Sequence, residues 1–367
     1  MSVPPAQHRH VRSVIDELSP YHPVESPQDL AERLGMPLDQ IVKLDSNENP
    51  YGCSLRVQEA LASFDRYHYY PDAQARRTRD RIAAYAGVCA DKIIVSNGSD
   101  EIIDLIFLTT LDPGDEVVLP TPTFGVYRAR TELFGGKAVE VPRDEAFDLD
   151  VDALLAAITD RTKLVIITNP NNPTGNLAST QDIVRLLHTG VLVVVDEAYY
   201  EFAGKTVMPL TGEFDNLIVL RTFSKWAGLA GMRLGYAVFP KHVAEQLWKV
   251  KPPFNVNVAA LVAAEASLDD VDYLYSTIDR IRSERSRLLR QLRRQDLLTP
   301  YPSQANFLLC HVDRGDAHDI HLRLADRGVM VRAYGDPVLR NFLRITVGRP
   351  EDTTRLMTAL QNIGAHV

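Results

Sequence analysis

Three short segments carry residue types whose placement could do chemistry. The first is Arg221-Thr-Phe-Ser-Lys-Trp-Ala-Gly-Leu-Ala-Gly-Met-Arg233, which follows an apolar run and sets Lys225 among small and apolar neighbours. Burial lowers a lysine pKa and frees a neutral amine to attack a carbonyl. Taken alone, a lysine after a strand is more often a solvated surface group. The second is Asp196, at the end of the apolar run 191–195 and followed by Glu197-Ala-Tyr199. A carboxylate at the carboxyl end of an α/β strand sits where such folds bind ligands, and it can hold a proton on a heteroaromatic nitrogen. It can equally cap the next turn. The third is Asn169-Pro-Asn-Asn-Pro-Thr-Gly175, a turn-forming run that could bring the Asn172 amide to a ligand, particularly with a cis Asn172–Pro173 bond.

The elements that must position these groups are legible as a pattern. Short apolar runs at 93–95, 116–119, 138–141, 164–168, 191–195, 217–220 and 236–239 read as strands. Helical periodicity at 101–108, 151–158 and 180–187 lies between them. Continuous apolar strands imply burial on both faces, hence an α/β fold with a mostly parallel central sheet covered by helices. Earlier, Ser26 reads as an N-cap, Pro27 as the first helical position and Gly35 as a stop. Pro252, Pro253 and Asn255 interrupt the chain before a long charged helix at 273–294 and strands at 307–310, 329–332 and 342–346. The expected organisation is an N-terminal arm at 1–42, a large domain at 43–255 and a smaller α+β domain at 256–367.

With 367 residues, 45% of them hydrophobic and 24% charged, the chain can build a core that encloses a buried ligand. A net charge of −8 argues against a general nucleic-acid binder, which needs a basic surface to displace counterions. Three cysteines without CxxC spacing suggest reduced thiols and no metal site. Apolar runs of only strand length and no apolar leader point to a cytoplasmic protein outside any membrane.

In order and content the three segments resemble those of the class I/II aminotransferases, the pyridoxal-phosphate (PLP)-dependent transferases of fold type I, and the likeness extends over nearly the whole chain. By that resemblance Lys225 links covalently to the cofactor aldehyde and Asp196 pairs with the pyridine nitrogen, while Asn172 and Tyr199 bond the phenolic oxygen. Thr222, Ser224 and Arg233 would join the phosphate cup with the turn Asn97-Gly98-Ser99-Asp100-Glu101. There a helix N-terminus offers free N–H groups to an anion. Phe124, where many relatives carry Tyr, would stack on the ring.

The stretches Leu18-Ser-Pro-Tyr21-His-Pro, Lys43-Leu-Asp-Ser-Asn-Glu-Asn-Pro-Tyr-Gly52, Tyr69-Tyr70-Pro-Asp72 and Leu343-Arg344-Ile-Thr-Val-Gly348 resemble the histidinol-phosphate aminotransferases. That resemblance implies a homodimer in which Tyr70 reaches the neighbouring subunit's cofactor phosphate. It also implies that Arg344, assisted by Arg332, binds the substrate anion and that Tyr21 closes over it, with Asn306 a further pocket residue. The implied reaction transfers an amino group between histidinol phosphate and 2-oxoglutarate by a ping-pong route. Competing readings are an aromatic amino-acid aminotransferase, a phosphothreonine decarboxylase and, outside catalysis, a regulatory module.

Overall fold

The computed structural model describes residues 10–17 and 25–365. Tyr21 lies outside the described residues. The strands in chain order are β1 (Val42–Leu44), β2 (Ile93–Ser96), β3 (Glu116–Thr121), β4 (Lys137–Pro142), β5 (Thr162–Thr168) and β6 (Leu192–Asp196). They continue with β7 (Leu217–Thr222), β8 (Gly235–Val238), β9 (Leu298–Pro300), β10 (Phe307–Val312), β11 (Val329–Ala333) and β12 (Phe342–Thr346).

Seven of these form the larger sheet in the order β2-β8-β7-β6-β5-β3-β4, in which β8 alone runs against the others. Side chains alternate across a strand, and here both faces are dry. Val165, Ile167, Val193, Val195 and Val219 enter one hydrophobic cluster, whereas Leu164, Ile166, Val194, Ile218 and Leu220 enter another on the opposite face. That double burial is why these strands read as unbroken apolar runs. It also aligns the carboxyl ends of β5, β6 and β7 along one rim of the sheet, where Thr168, Asp196 and Thr222 are the last residues.

The helices begin and end on local chemistry. Ser26 accepts from the Asp29 N–H to cap Pro27–Leu34, and Gly35 closes that helix in the left-handed region at φ 62°. Helix Ser99–Thr110 starts two residues before its apolar periodicity does, because Gly98 at φ 84° turns the chain out of β2 directly into it. The long charged helix spans Val271–Leu292, burying Leu274, Ile278, Ile281, Leu288 and Leu292 on one face.

The smaller sheet has the order β1-β11-β12-β10-β9. Its first strand comes from the beginning of the chain: β1 runs parallel to β11 with Val42 opposite Val329 and Leu44 opposite Val331. Residues 43 and 44, expected at the start of the large domain, therefore pair in this sheet, because Val42 and Leu44 can bury their side chains there, at 1% and 2% exposure. Past the expected boundary at 255/256, helix Val258–Leu268 packs on helices Leu55–Ser63 and Arg76–Ala86, and Thr78 Oγ1 donates to Glu265 at 2.8 Å. The chain crosses to the smaller sheet through the helix that follows. Among the described residues no helix is long and apolar enough to cross a membrane.

Candidate active site

The floor of the site is built where β6 ends. Asp196 is 6% exposed, and its Oδ1 accepts from the Ala198 N–H at 2.9 Å. Its Oδ2 accepts from the Tyr127 hydroxyl. Burial pushes the Asp196 pKa up to about 6, against the downward pull of those two donors. Among the described residues no lysine or arginine forms an ion pair with it, so the charged carboxylate is held by neutral donors alone. Tyr127, not singled out in the sequence, reaches Asp196 across 69 residues.

Lys225 follows β7 after one tight turn. It is part-buried, and its Nζ donates to the Ser46 carbonyl at 2.9 Å. Burial lowers its pKa to about 8, and the nearby Arg344 guanidinium pushes it the same way. The solvated-lysine alternative does not fit this environment.

Beside them lies a cradle of backbone and hydroxyl groups. Thr222 Oγ1 donates to Ser224 Oγ at 2.9 Å and accepts from the Ser224 N–H at 3.1 Å. Thr222 pairs across the strands with Gly235, where a Cβ would stand 2.7 Å from the Ser99 nitrogen. Arg233 sits at φ 54° and donates from Nη2 to Asp100 Oδ2 at 3.1 Å. A Cβ on Gly98 would meet that same Nη2 at 2.7 Å. Gly98, Ser99, Asp100, Thr222, Ser224 and Arg233 are thus brought together, with the first N–H groups of helix Ser99–Thr110 at the centre.

The facing wall comes from the smaller sheet and the segment after β1. Arg344, 8% exposed, donates from Nη1 to Asn172 Oδ1 at 2.7 Å and from Nη2 to the Asp45 carbonyl at 2.6 Å. Arg332 is its cross-strand partner. Tyr199 OH accepts from Asn47 Nδ2 at 3.0 Å, and burial raises its pKa. Asn47 is further held by Thr346, whose Oγ1 accepts from the Asn47 N–H at 2.9 Å, and by Asn306, whose Nδ2 donates to the Asn47 carbonyl at 3.0 Å. Asn47 and Ser46 stand in the quoted Lys43–Gly52 stretch, but nothing local in the sequence signals that they clasp Tyr199 and Lys225. Both Asn169–Pro170 and Asn172–Pro173 are cis. Asn171 is the amide that fastens this turn, donating from Nδ2 to the Pro122 carbonyl at 3.0 Å.

Two expected residues stand apart from this cluster. Phe124 lies edge-on to Tyr127, with ring centroids 5.8 Å apart and planes at 86°, next to the floor of the site. Tyr70 is 82% exposed and stacks on Phe254 at 4.7 Å; Tyr67 and Tyr69, close to it in sequence, are exposed as well.

A part-buried lysine of lowered proton affinity, a buried carboxylate at a strand end and an anion cradle on a doubly covered α/β sheet define a class. Residues 39–360 match the family described as Aminotransferase class I and II, and the chain is an aminotransferase of that class. A histidinol-phosphate aminotransferase of Roseiflexus castenholzii is 46% identical over 362 residues, covering 96% of this chain and 98% of the relative. One from Dehalococcoides mccartyi is 42% identical over 356 residues, covering 97% and 98%. The solved histidinol-phosphate aminotransferase of Sinorhizobium meliloti, in complex with pyridoxal-5'-phosphate, superposes with a TM-score of 0.88 at 27% identity over 97% of this chain and 98% of that one. Within its class the chain belongs to the histidinol-phosphate aminotransferase family.

Proposed function

We propose that this enzyme uses pyridoxal 5'-phosphate to transfer an amino group between histidinol phosphate and 2-oxoglutarate in histidine biosynthesis, in two half-reactions. The observation that carries the reading is the placement, after the ends of the neighbouring strands β6 and β7, of Asp196, a buried carboxylate without a cationic partner among the described residues, and of Lys225, with its lowered proton affinity. The residues present suit the cofactor. A protonated pyridine nitrogen would give Asp196 the cation it lacks, and the missing Cβ at Gly98 lets the Arg233 guanidinium close on the turn beside the first N–H groups of helix Ser99–Thr110, where a phosphate would be held.

When bound, the cofactor supplies an aldehyde that links to amines and an electron-withdrawing ring that acidifies the neighbouring C–H. Lys225 Nζ, whose hold on its proton is weakened by burial, serves as the base that takes the substrate α-proton and returns it. Asp196 would hold the positive charge on the ring nitrogen, and Tyr127 keeps that carboxylate oriented. Tyr199 and Asn172 would bond the phenolic oxygen. Ser99, Asp100, Thr222, Ser224 and Arg233 would hold the phosphate by N–H, hydroxyl and guanidinium donors, with Gly98 shaping the turn. Phe124 would pack against the ring. Arg344, with Arg332, binds the substrate anion.

The exposed Tyr67, Tyr69 and Tyr70, with Phe254, support a homodimer in which Tyr70 completes the partner's phosphate site. A cytoplasmic location agrees with the absence, among the described residues, of any membrane-crossing helix.

The test uses purified enzyme reconstituted with pyridoxal phosphate. Histidinol phosphate without an acceptor should shift the cofactor's visible absorbance rapidly, phenylalanine should do so poorly, and Lys225→Ala should abolish turnover with both. A preference for phenylalanine overturns the substrate assignment, and carbon dioxide release without keto-acid formation makes the protein a decarboxylase. Substantial steady-state activity in Lys225→Ala overturns the mechanism.

A further inference from the structure

Tyr334 follows β11 at the edge of the site. Its ring packs with Phe342 in a small cluster around Phe147, Leu309 and Leu339, which a phenylalanine would fill equally well. The hydroxyl is another matter. It is buried and has no hydrogen-bond partner among the described residues. A buried hydroxyl left unpaired is a standing cost, so its presence calls for an acceptor from outside the chain.

Strand geometry shows where that acceptor would be. Arg332 and Arg344 stand opposite each other across β11 and β12, as do Ala333 and Leu343. Two residues beyond Arg332, Tyr334 shares its face of the sheet. Arg344 Nε, on the same wall, is likewise buried without a partner among the described residues. Both arginines lie close enough to favour ionisation of the Tyr334 hydroxyl, but burial outweighs them and keeps it protonated, as a donor.

Resting on the reading above, we infer that Tyr334 determines specificity for a phosphate monoester: its hydroxyl donates to the substrate phosphate beside Arg332 and Arg344. The chemistry separates phosphate from carboxylate. A carboxylate presents two oxygens, which one guanidinium saturates in a bidentate pair. A phosphate monoester presents three terminal oxygens, each accepting more than one hydrogen bond, and so needs donors beyond the two guanidiniums. A neutral hydroxyl meets that need without adding charge to a wall that already holds two cations.

The experiment compares Lys225→Ala with Lys225→Ala/Tyr334→Phe, both full-length and reconstituted with pyridoxal phosphate, so that ligands bind without turning over. Calorimetry measures histidinol phosphate and its phosphate-free counterpart, histidinol. The double variant should bind histidinol phosphate about tenfold more weakly, the weight of one hydrogen bond to a charged acceptor, and histidinol within about twofold of the parent. In steady state, Tyr334→Phe alone should raise KM for histidinol phosphate by about the same factor, leaving kcat and the KM for glutamate within about twofold. Removing an unpartnered hydroxyl breaks no internal bond, and a melting midpoint that is unchanged or raised certifies the fold. Equal weakening for both ligands, or none for either, overturns the role of Tyr334 while leaving the proposed reaction intact. A parent that does not bind histidinol phosphate at all overturns the proposed substrate and this role with it.

Discussion

The proton affinity of Lys225 can be measured apart from turnover. Burial and Arg344 bring its pKa from 10.5 to about 8. At pH 7.5 about a quarter of the molecules then carry a neutral amine, against about one in a thousand for a solvated lysine. Labelling the cofactor-free protein with a limiting amine-reactive reagent across a pH series, and quantifying the Lys225 peptide by mass spectrometry, reads that fraction directly. The labelling rate should reach its half-maximum near pH 8, more than two pH units before the surface lysines. In Arg344→Gln the midpoint should move upward, because the guanidinium is the largest electrostatic contributor after burial. The sign for stability follows. Between about pH 8 and 10.5 the unfolded lysine holds a proton that the folded one has released, so stability rises as pH increases through that window. At ~1.4 kcal/mol per tenfold in proton affinity, the whole rise is at most about 3 kcal/mol, lessened by the open side of this part-buried residue. A wild-type midpoint at or above pH 10 would refute the premise that Lys225 is desolvated.

Two further outcomes test the frame around the site. Glu197 and Arg221 form an ion pair with side-chain exposures of 0% and 2%, and Arg221 also covers the Tyr200 ring at 3.5 Å. Glu197→Gln should lower the unfolding free energy by about 3–5 kcal/mol in a denaturant titration; a loss under about 1 kcal/mol would mean that water reaches the pair. Gly98→Ala forces a side chain into φ 84° and against Arg233 Nη2, a strain of about 1–3 kcal/mol. It should weaken retention of pyridoxal phosphate on dialysis by roughly tenfold or more, and wild-type retention would show that the cradle does not depend on this turn.

The larger sheet was readable because its strands are buried on both faces: Leu164 to Ile167 has no polar residue to confuse its period, and Asp196 interrupts the apolar run where the strand ends. Lys225, Asp196 and Asn172 could be singled out because each lies next to such a strand. What escaped depends on contacts distant in sequence. Tyr127 sits three residues after Phe124, and only the packing of its helix on the sheet aims it at Asp196. Asn47 owes its place to Thr346, 299 residues away. β1 is three residues long, too short for an alternation to register, and its pairing with β11 has no local signature. Tyr334 reads as an ordinary aromatic until the register of β11 against β12 places it beside two arginines.

The parallel pairing of β1 with β11 sets a limit on modularity. The smaller sheet borrows an outer strand from a part of the chain that precedes the whole larger sheet. A C-terminal fragment cut near residue 255 would therefore leave Val329, Met330 and Val331 with unpaired backbone along an apolar edge, a template for self-association. Exchange of C-terminal halves between distant relatives meets the same obstacle, since the incoming half would have to fit a strand it does not carry. The three residues of β1 are joined directly to Asp45, Ser46 and Asn47, which hold Arg344, Lys225 and Tyr199. Exchanging any one of these parts alone would break the contacts that tie the first strand, the smaller sheet and the reactive lysine together.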